Sequence, residues 1–352
     1  MTSSTSKLRA VVAVPLPEDL CQLIEEKEPR LELVRDHTLV PPMRWPADWS
    51  GDPSFSRTAE QQRAFDEMVD SADVLFGIPD VDPHALARTV AANKRLRWVM
   101  TTAAGGGSTV RAAELDSAAL ERVTFTTSAG VHGGPLAEFA VFAVLAGAKD
   151  LPRLMTDQRE NVWPDRWEMR QIDEMRVLIV GLGGIGSECA RRFHALGAEV
   201  WGTTRSGQPV DGVERLVPLD DLIDAVRDVD AIVVTLPGTE QTKHLIGAEL
   251  LAAVRPGGIL VNVGRGSVID EQALIPALDD GRVAFAALDV FEQEPLDAAS
   301  PLWSHPHVLV SPHTAAISSK EAERIARRFA ENATRLLDGK QQRAVVNTVE
   351  FY

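Results

Sequence analysis

The segment RVLIVGLGGIGSECARRFHALG, Arg176 to Gly197, restricts the fold more than any other part of the chain. An apolar β-type run leads directly into Gly181, Gly183 and Gly186 in G-x-G-x-x-G spacing, and a helical pattern follows at once. Ile185, Cys189, Phe193 and Leu196 recur at nearly four-residue intervals, as expected of a helix that covers a sheet. Each glycine has a mechanical reason. Gly181 permits the tight turn, Gly183 lets backbone approach a pyrophosphate, and Gly186 allows the helix to pack closely on the strand. The anion would rest on the helix N-terminus, so Gly184 and Ile185 join the three glycines as expected cofactor contacts.

The surrounding chain repeats that unit. RVLIV, EVWGT, AIVVTLP, GGILVNV, VAFAALDV and HVLVS are short apolar runs separated by helical stretches, the pattern of a doubly wound parallel sheet. LRAVVAV, LELV, DVLFGI, LRWVMT and VTFTT set the same rhythm in the first half, interrupted by the Pro- and Trp-rich stretch Pro41 to Phe55, which reads as an ordered loop. The expected fold class is α/β, with two Rossmann- or flavodoxin-like domains. The cofactor domain, 131–316, is inserted into a discontinuous substrate domain, 1–130 and 317–352. A single helix from Ile317 to Leu337, with Ile325, Phe329, Leu336 and Leu337 on its apolar side, is expected to pack back on the first domain.

Composition narrows the function. A formal net charge of -15 argues against a nucleic-acid partner, which needs a basic face. Cys21 and Cys189 are the only cysteines and give neither a disulfide framework nor metal-ligand spacing, so no metal is expected. The longest apolar run, Phe139 to Ala148, is far shorter than the ~20 residues of a spanning helix. The N-terminal apolar run is too short for a signal sequence and is broken by Pro15 and Pro17. The expectation is a soluble cytoplasmic protein.

Three later segments, VNVGRGSVIDEQAL, AALDVFEQEPL and LVSPHTA, together with GLGGIG, resemble the D-isomer-specific 2-hydroxyacid dehydrogenases from about Thr127 to the C-terminus. The resemblance implies that Arg265 binds the substrate carboxylate and the C2 oxygen, that Glu294 pairs with His313, and that His313 shuttles the proton. The chemistry suits the residue types. A planar guanidinium grips a carboxylate with two bonds and stays charged, and imidazole exchanges protons near neutral pH. The resemblance also places Leu236, Pro237, Val263, Gly264 and Asp289 at the cofactor, and Ala104, Gly105 and Gly106 at the substrate. Glyoxylate or hydroxypyruvate reduction is the first expectation for activity. A phosphoglycerate dehydrogenase-like enzyme, or a non-catalytic NAD(H)-sensing protein, is the alternative.

Two segments depart from the family pattern. TTAAGGGST, Thr101 to Thr109, has Gly106 and Gly107 where Val-Asp is frequent; the glycines permit unusual dihedrals and close approach to substrate, and a flexible linker is the competing reading. His132 stands where Asn is common and is expected near the interdomain cleft. The second cofactor-domain strand ends in VWGTTRSG, where Thr204 occupies the place of the acid that would bind the ribose 2'-hydroxyl. Arg205, with Thr204 and Ser206, suits a 2'-phosphate, so NADP(H) is favoured and NAD(H) remains possible. The family also implies a homodimer, with an arm including Asn161 to Arg170; Trp163 and Trp167 suit a buried interface.

Overall fold

The computed structural model describes residues 7–349 and 351 and divides into two compact units, one made of residues up to His132 and from Ile317 onward, the other of Gly133–Ala316. The first unit carries strands β1 (Leu8–Val12), β2 (Leu31–Val34), β3 (Val74–Phe76), β4 (Trp98–Met100) and β5 (Thr124–Thr126), all parallel in the order β2-β1-β3-β4-β5. Alternate side chains of these runs enter opposite layers. Val11, Leu75, Val99 and Phe125 pack with Phe65, Val69 and Leu86, while Val12, Val74, Phe76, Trp98 and Met100 pack with Cys21, Ile24, Ile325 and Phe329. Both faces are therefore dry, which explains why the strands read as continuous apolar runs.

The last helix completes that second layer. Phe329 stacks on Trp98 with ring centroids 4.7 Å apart and meets Phe76 edge-on at 5.2 Å. Leu336 and Leu337 are only partly buried at its far end. The helix spans Glu321–Leu337, one turn shorter than the sequence pattern implies. Ser318 ends the preceding coil in a turn whose carbonyl takes the Glu321 N–H, and its hydroxyl accepts from Arg324. Glu28, at the end of helix Glu18–Lys27, accepts from the Thr334 hydroxyl and from Arg30, tying the two helices. The Pro- and Trp-rich stretch has no regular secondary structure. It is held by the Arg44–Asp48 ion pair and by Trp49, edge-on to Phe76.

The second unit is a seven-stranded parallel sheet: β6 (Arg176–Val180), β7 (Glu199–Gly202), β8 (Arg215–Leu216), β9 (Ala231–Val234), β10 (Gly258–Asn262), β11 (Val283–Leu288) and β12 (Val308–Val310). Their order, β12-β11-β10-β9-β6-β7-β8, reverses direction between β6 and β9. A crevice at the carboxyl ends of the strands follows from that reversal, and the glycine-rich turn stands at its lip. β8 was not expected: two residues at a sheet edge are too short to show a period. Helix Gly133–Ala148 is apolar on nearly all sides because it lies between β10, β11 and helix Gly184–Ala195, and Gly147 leaves room for Ile259 and Phe285. Among the described residues no helix is long and apolar enough to cross a membrane.

Candidate active site

Helix Gly184–Ala195 begins with Gly183 at its N-cap, and no side chain caps it. Its first N–H groups are thus left for a ligand. Gly181 has φ +108°, the left-handed side where glycine is favoured. Gly186 faces its carbonyl so closely that a Cβ would stand 2.0 Å from that oxygen, whereas a Cβ on Gly183 would meet nothing within 4 Å. Space beside Gly183 and unclaimed donors at the helix start fit a pyrophosphate. Cys189 and Phe193 are buried beneath the helix and Ile185 is half-buried. Leu196 departs from the expected apolar face. It caps the helix and is 42% exposed, because Gly197 turns the chain at φ +92°.

Two threonines that sequence reasoning missed lock this turn. Thr203 Oγ1 accepts from Gly181 N at 2.9 Å, and Thr235 Oγ1 donates to Gly181 O at 2.5 Å. Beyond Thr203 the chain forms a self-braced loop in which Ser206 N donates to Thr204 Oγ1 and Gln208 N to Ser206 Oγ, with the two hydroxyls 3.1 Å apart. Arg205 and Ser206 are exposed and Thr204 is half-buried.

The β9 and β10 loops meet through Gly264, where a Cβ would stand 2.5 Å from Leu236 O. Leu236 is half-buried, Pro237 exposed and Val263 buried. Asn262, also missed, is the buried pin of this loop: its amide donates to Arg265 O and its carbonyl accepts from Gly264 N, both at 3.0 Å. A buried amide at the end of an apolar strand was the available signal. Arg265 is half-buried and spends one donor on Gly264 O at 2.8 Å. Gly266 packs on the Phe291 peptide so tightly that a Cβ would lie 1.8 Å from Phe291 C.

Phe291 N in turn donates to Glu294 Oε1 at 3.0 Å, and Glu294 Oε2 lies 2.7 Å from His313 Nδ1. The structure thus brings Glu294 and His313 together and seats the Arg265 loop against the same segment. His313 itself is strained, at φ +53°. Its N–H donates to Asp289 O and Ser311 O. Asp289, expected at the cofactor, directs Oδ1 to the His313 loop, accepting from Ser311 Oγ, Thr314 N and Ala315 N at 2.6–3.0 Å. Burial pushes its carboxyl above the ordinary value, with those hydrogen bonds opposing the shift.

In the first unit, Gly105, Gly106 and Gly107 do not take the unusual dihedrals expected of them. Gly107 opens a short helix, Gly107–Ala112, rather than a linker. Gly106 is needed for space: a Cβ would strike Thr101 Oγ1 at 1.9 Å. Among the described residues, Ala104 N and Gly105 N donate to no protein acceptor. His132 is buried, with Nε2 2.9 Å from Glu321 Oε1.

The family model for the D-isomer-specific 2-hydroxyacid dehydrogenase NAD-binding domain matches residues 141–315. A glyoxylate reductase of Aeropyrum pernix is 33% identical over 233 residues, 63% of this chain and 69% of that protein. The chain belongs to the D-isomer-specific 2-hydroxyacid dehydrogenase family. Glyoxylate/hydroxypyruvate reductase B of Enterobacter agglomerans is 37% identical over 190 residues, 54% of this chain and 58% of the relative's length. A family dehydrogenase of Xanthobacter autotrophicus Py2, solved in complex with NADPH and MES, superposes with a TM-score of 0.77 at 29% identity, covering 99% of this chain and all of the other.

Proposed function

We propose that this chain reduces a small 2-oxo acid, glyoxylate or hydroxypyruvate, to the D-2-hydroxy acid with NADPH. The Glu294–His313 pair beside the Arg265 loop carries the reading, because it joins a proton donor to a fixed cation within one unit. The names of the Enterobacter and Aeropyrum relatives support the substrate class. The Xanthobacter structure's NADPH supports the nucleotide.

The turn at Gly181, Gly183, Gly184, Ile185 and Gly186 would hold the pyrophosphate, and Thr204, Arg205 and Ser206 the 2'-phosphate. The bound nicotinamide supplies a hydride to C2. Arg265 has four further donors for the acid's carboxylate and C2 oxygen. Glu294 accepts the Nδ1 proton of His313, which leaves Nε2 to deliver a proton to that oxygen. The Ala104 and Gly105 N–H groups are assigned to the substrate carboxylate, and residues 1–132 with 317–352 to a substrate-binding role. Trp163, 98% exposed in the arm after helix Leu151–Glu160, supports a homodimer that covers it. We place the enzyme in the cytoplasm, where its two unpaired cysteines remain reduced.

The test is nucleotide oxidation with a panel of 2-oxo acids. Wild type turns over glyoxylate or hydroxypyruvate, and His313→Ala loses roughly 10²–10⁴-fold in kcat while still binding nucleotide. Tight nucleotide binding with no turnover of any 2-oxo acid overturns the reading.

A further inference from the structure

The segment Phe291–Glu294 is held by two histidines, and only one belongs to the proton pathway described above. His244 Nε2 lies 3.0 Å from Glu292 Oε2, two residues from the carboxylate that holds His313. Both histidines take the left-handed conformation, at φ +52° and +53°. Such non-glycine residues persist only where their surroundings fix them, and they concentrate at working sites. His244 meets that condition: its own N–H donates to Ser267 O, and two residues on, Ile246 N donates to Val268 O. The histidine is therefore anchored to the loop that carries Arg265.

Glu292 is held on its other side as well. Its Oε1 accepts from Glu271 N at 3.0 Å, while its own N–H donates to Glu271 Oε1 at 2.7 Å. Glu271 opens helix Glu271–Asp279, and burial raises its carboxyl above the ordinary value. The reciprocal pair and the His244 contact fix the backbone on one side of Gln293, and Phe291 N fixes the Glu294 carboxylate on the other. An exposed His–Glu contact contributes little to global stability, so its effect should lie in placement.

We propose that His244 and Glu292 are positioning residues for proton transfer. They form a brace from the Arg265 loop to the Phe291–Glu294 segment that aims Glu294 at His313. The proposal rests on the reductase reading, but its test separates the two.

His244→Asn keeps a side chain that tolerates the left-handed backbone and is too short to reach Glu292; His244→Gln restores the reach and the donor. In the full-length protein, His244→Asn and Glu292→Ala should each lower kcat roughly tenfold. KM for NADPH and for the 2-oxo acid should stay within about twofold, on the view that only placement of the proton donor is lost. The solvent deuterium isotope effect on kcat should rise, the ¹⁵N resonance of His313 Nδ1 should move, and His244→Gln should recover most of the rate. Wild-type kcat in both variants overturns the brace, as does a loss confined to KM or thermal stability with the His313 resonance unmoved. If wild type reduces no 2-oxo acid, the reductase reading falls. The His313 resonance in His244→Asn then decides the brace alone, and an unchanged signal overturns it.

Discussion

Two glycines three residues apart in the phosphate turn should respond to the same substitution in opposite ways. At Gly186 an added methyl would stand 2.0 Å from Gly181 O, 2.9 Å from Thr235 Oγ1 and 3.0 Å from Gly181 C. Carbon and oxygen need well over 3 Å, so the helix must retreat by about 1 Å from the turn. That retreat strains the Thr235–Gly181 bond and the left-handed Gly181. Overpacking of this kind costs about 1–3 kcal/mol. For a unit of this size, a loss of about 2 kcal/mol lowers Tm by roughly 4–8 °C. At Gly183 the same methyl meets nothing within 4 Å, and the backbone, at φ -80° and ψ -158°, is extended and open to any residue. Gly183→Ala should leave Tm unchanged or raise it slightly, since alanine loses less freedom on folding. The methyl would nevertheless occupy the space we assign to the pyrophosphate, so NADPH affinity should fall at least about tenfold. Differential scanning calorimetry without nucleotide and fluorescence titration with NADPH read the two effects separately. A Gly186→Ala protein with wild-type Tm, or a Gly183→Ala protein with wild-type affinity, would refute the steric argument.

Two other measurements address the nucleotide and the response to acid. Arg205→Ala should lower kcat/KM for NADPH about 10–100-fold, the value of one charge-assisted contact, and leave NADH nearly unchanged; equal losses with both nucleotides would remove Arg205 from 2'-phosphate binding. Glu28 is held at about pKa 2, below its ordinary 4.5, first by Arg30 and then by the Thr334 hydroxyl, against burial. Its depressed value means that the stabilisation is present above about pH 4.5 and is lost as the pH falls toward 2. Wild type should therefore lose on the order of 2 kcal/mol more than Glu28→Gln across that interval, and parallel urea-unfolding curves at pH 5 and pH 2.5 would contradict it.

The longer strands were legible because burial on both faces writes itself as an uninterrupted apolar run, as in RVLIV and GGILVNV. β8 was not, because two residues at a sheet edge carry no period. The Glu294–His313 pair was legible through motif resemblance; in isolation the glutamate before a proline reads as a turn residue and the histidine after one as a cap for the following helix. Asn262, Thr203 and Thr235 escaped because their work is to hold backbone, and a single polar residue at the end of a strand announces burial without announcing its partner. The dihedrals expected in TTAAGGGST failed for a related reason. A glycine can be required by a neighbour's side chain, here Thr101, as well as by its own φ, and sequence does not distinguish the two.

The discontinuity of the first unit has a consequence for synthesis. Phe329, stacked against Trp98 and edge-on to Phe76, belongs to a helix that is synthesised only after the whole of the second unit, so that layer of the first unit's core has only helix Glu18–Lys27 to cover it until then. The second unit is one uninterrupted segment and can close its sheet earlier. Until helix Glu321–Leu337 arrives, Phe76 of β3 and Trp98 of β4 lack their Phe329 partner. The nascent chain should therefore be most exposed to aggregation and to chaperone capture between synthesis of β5 and emergence of helix Glu321–Leu337.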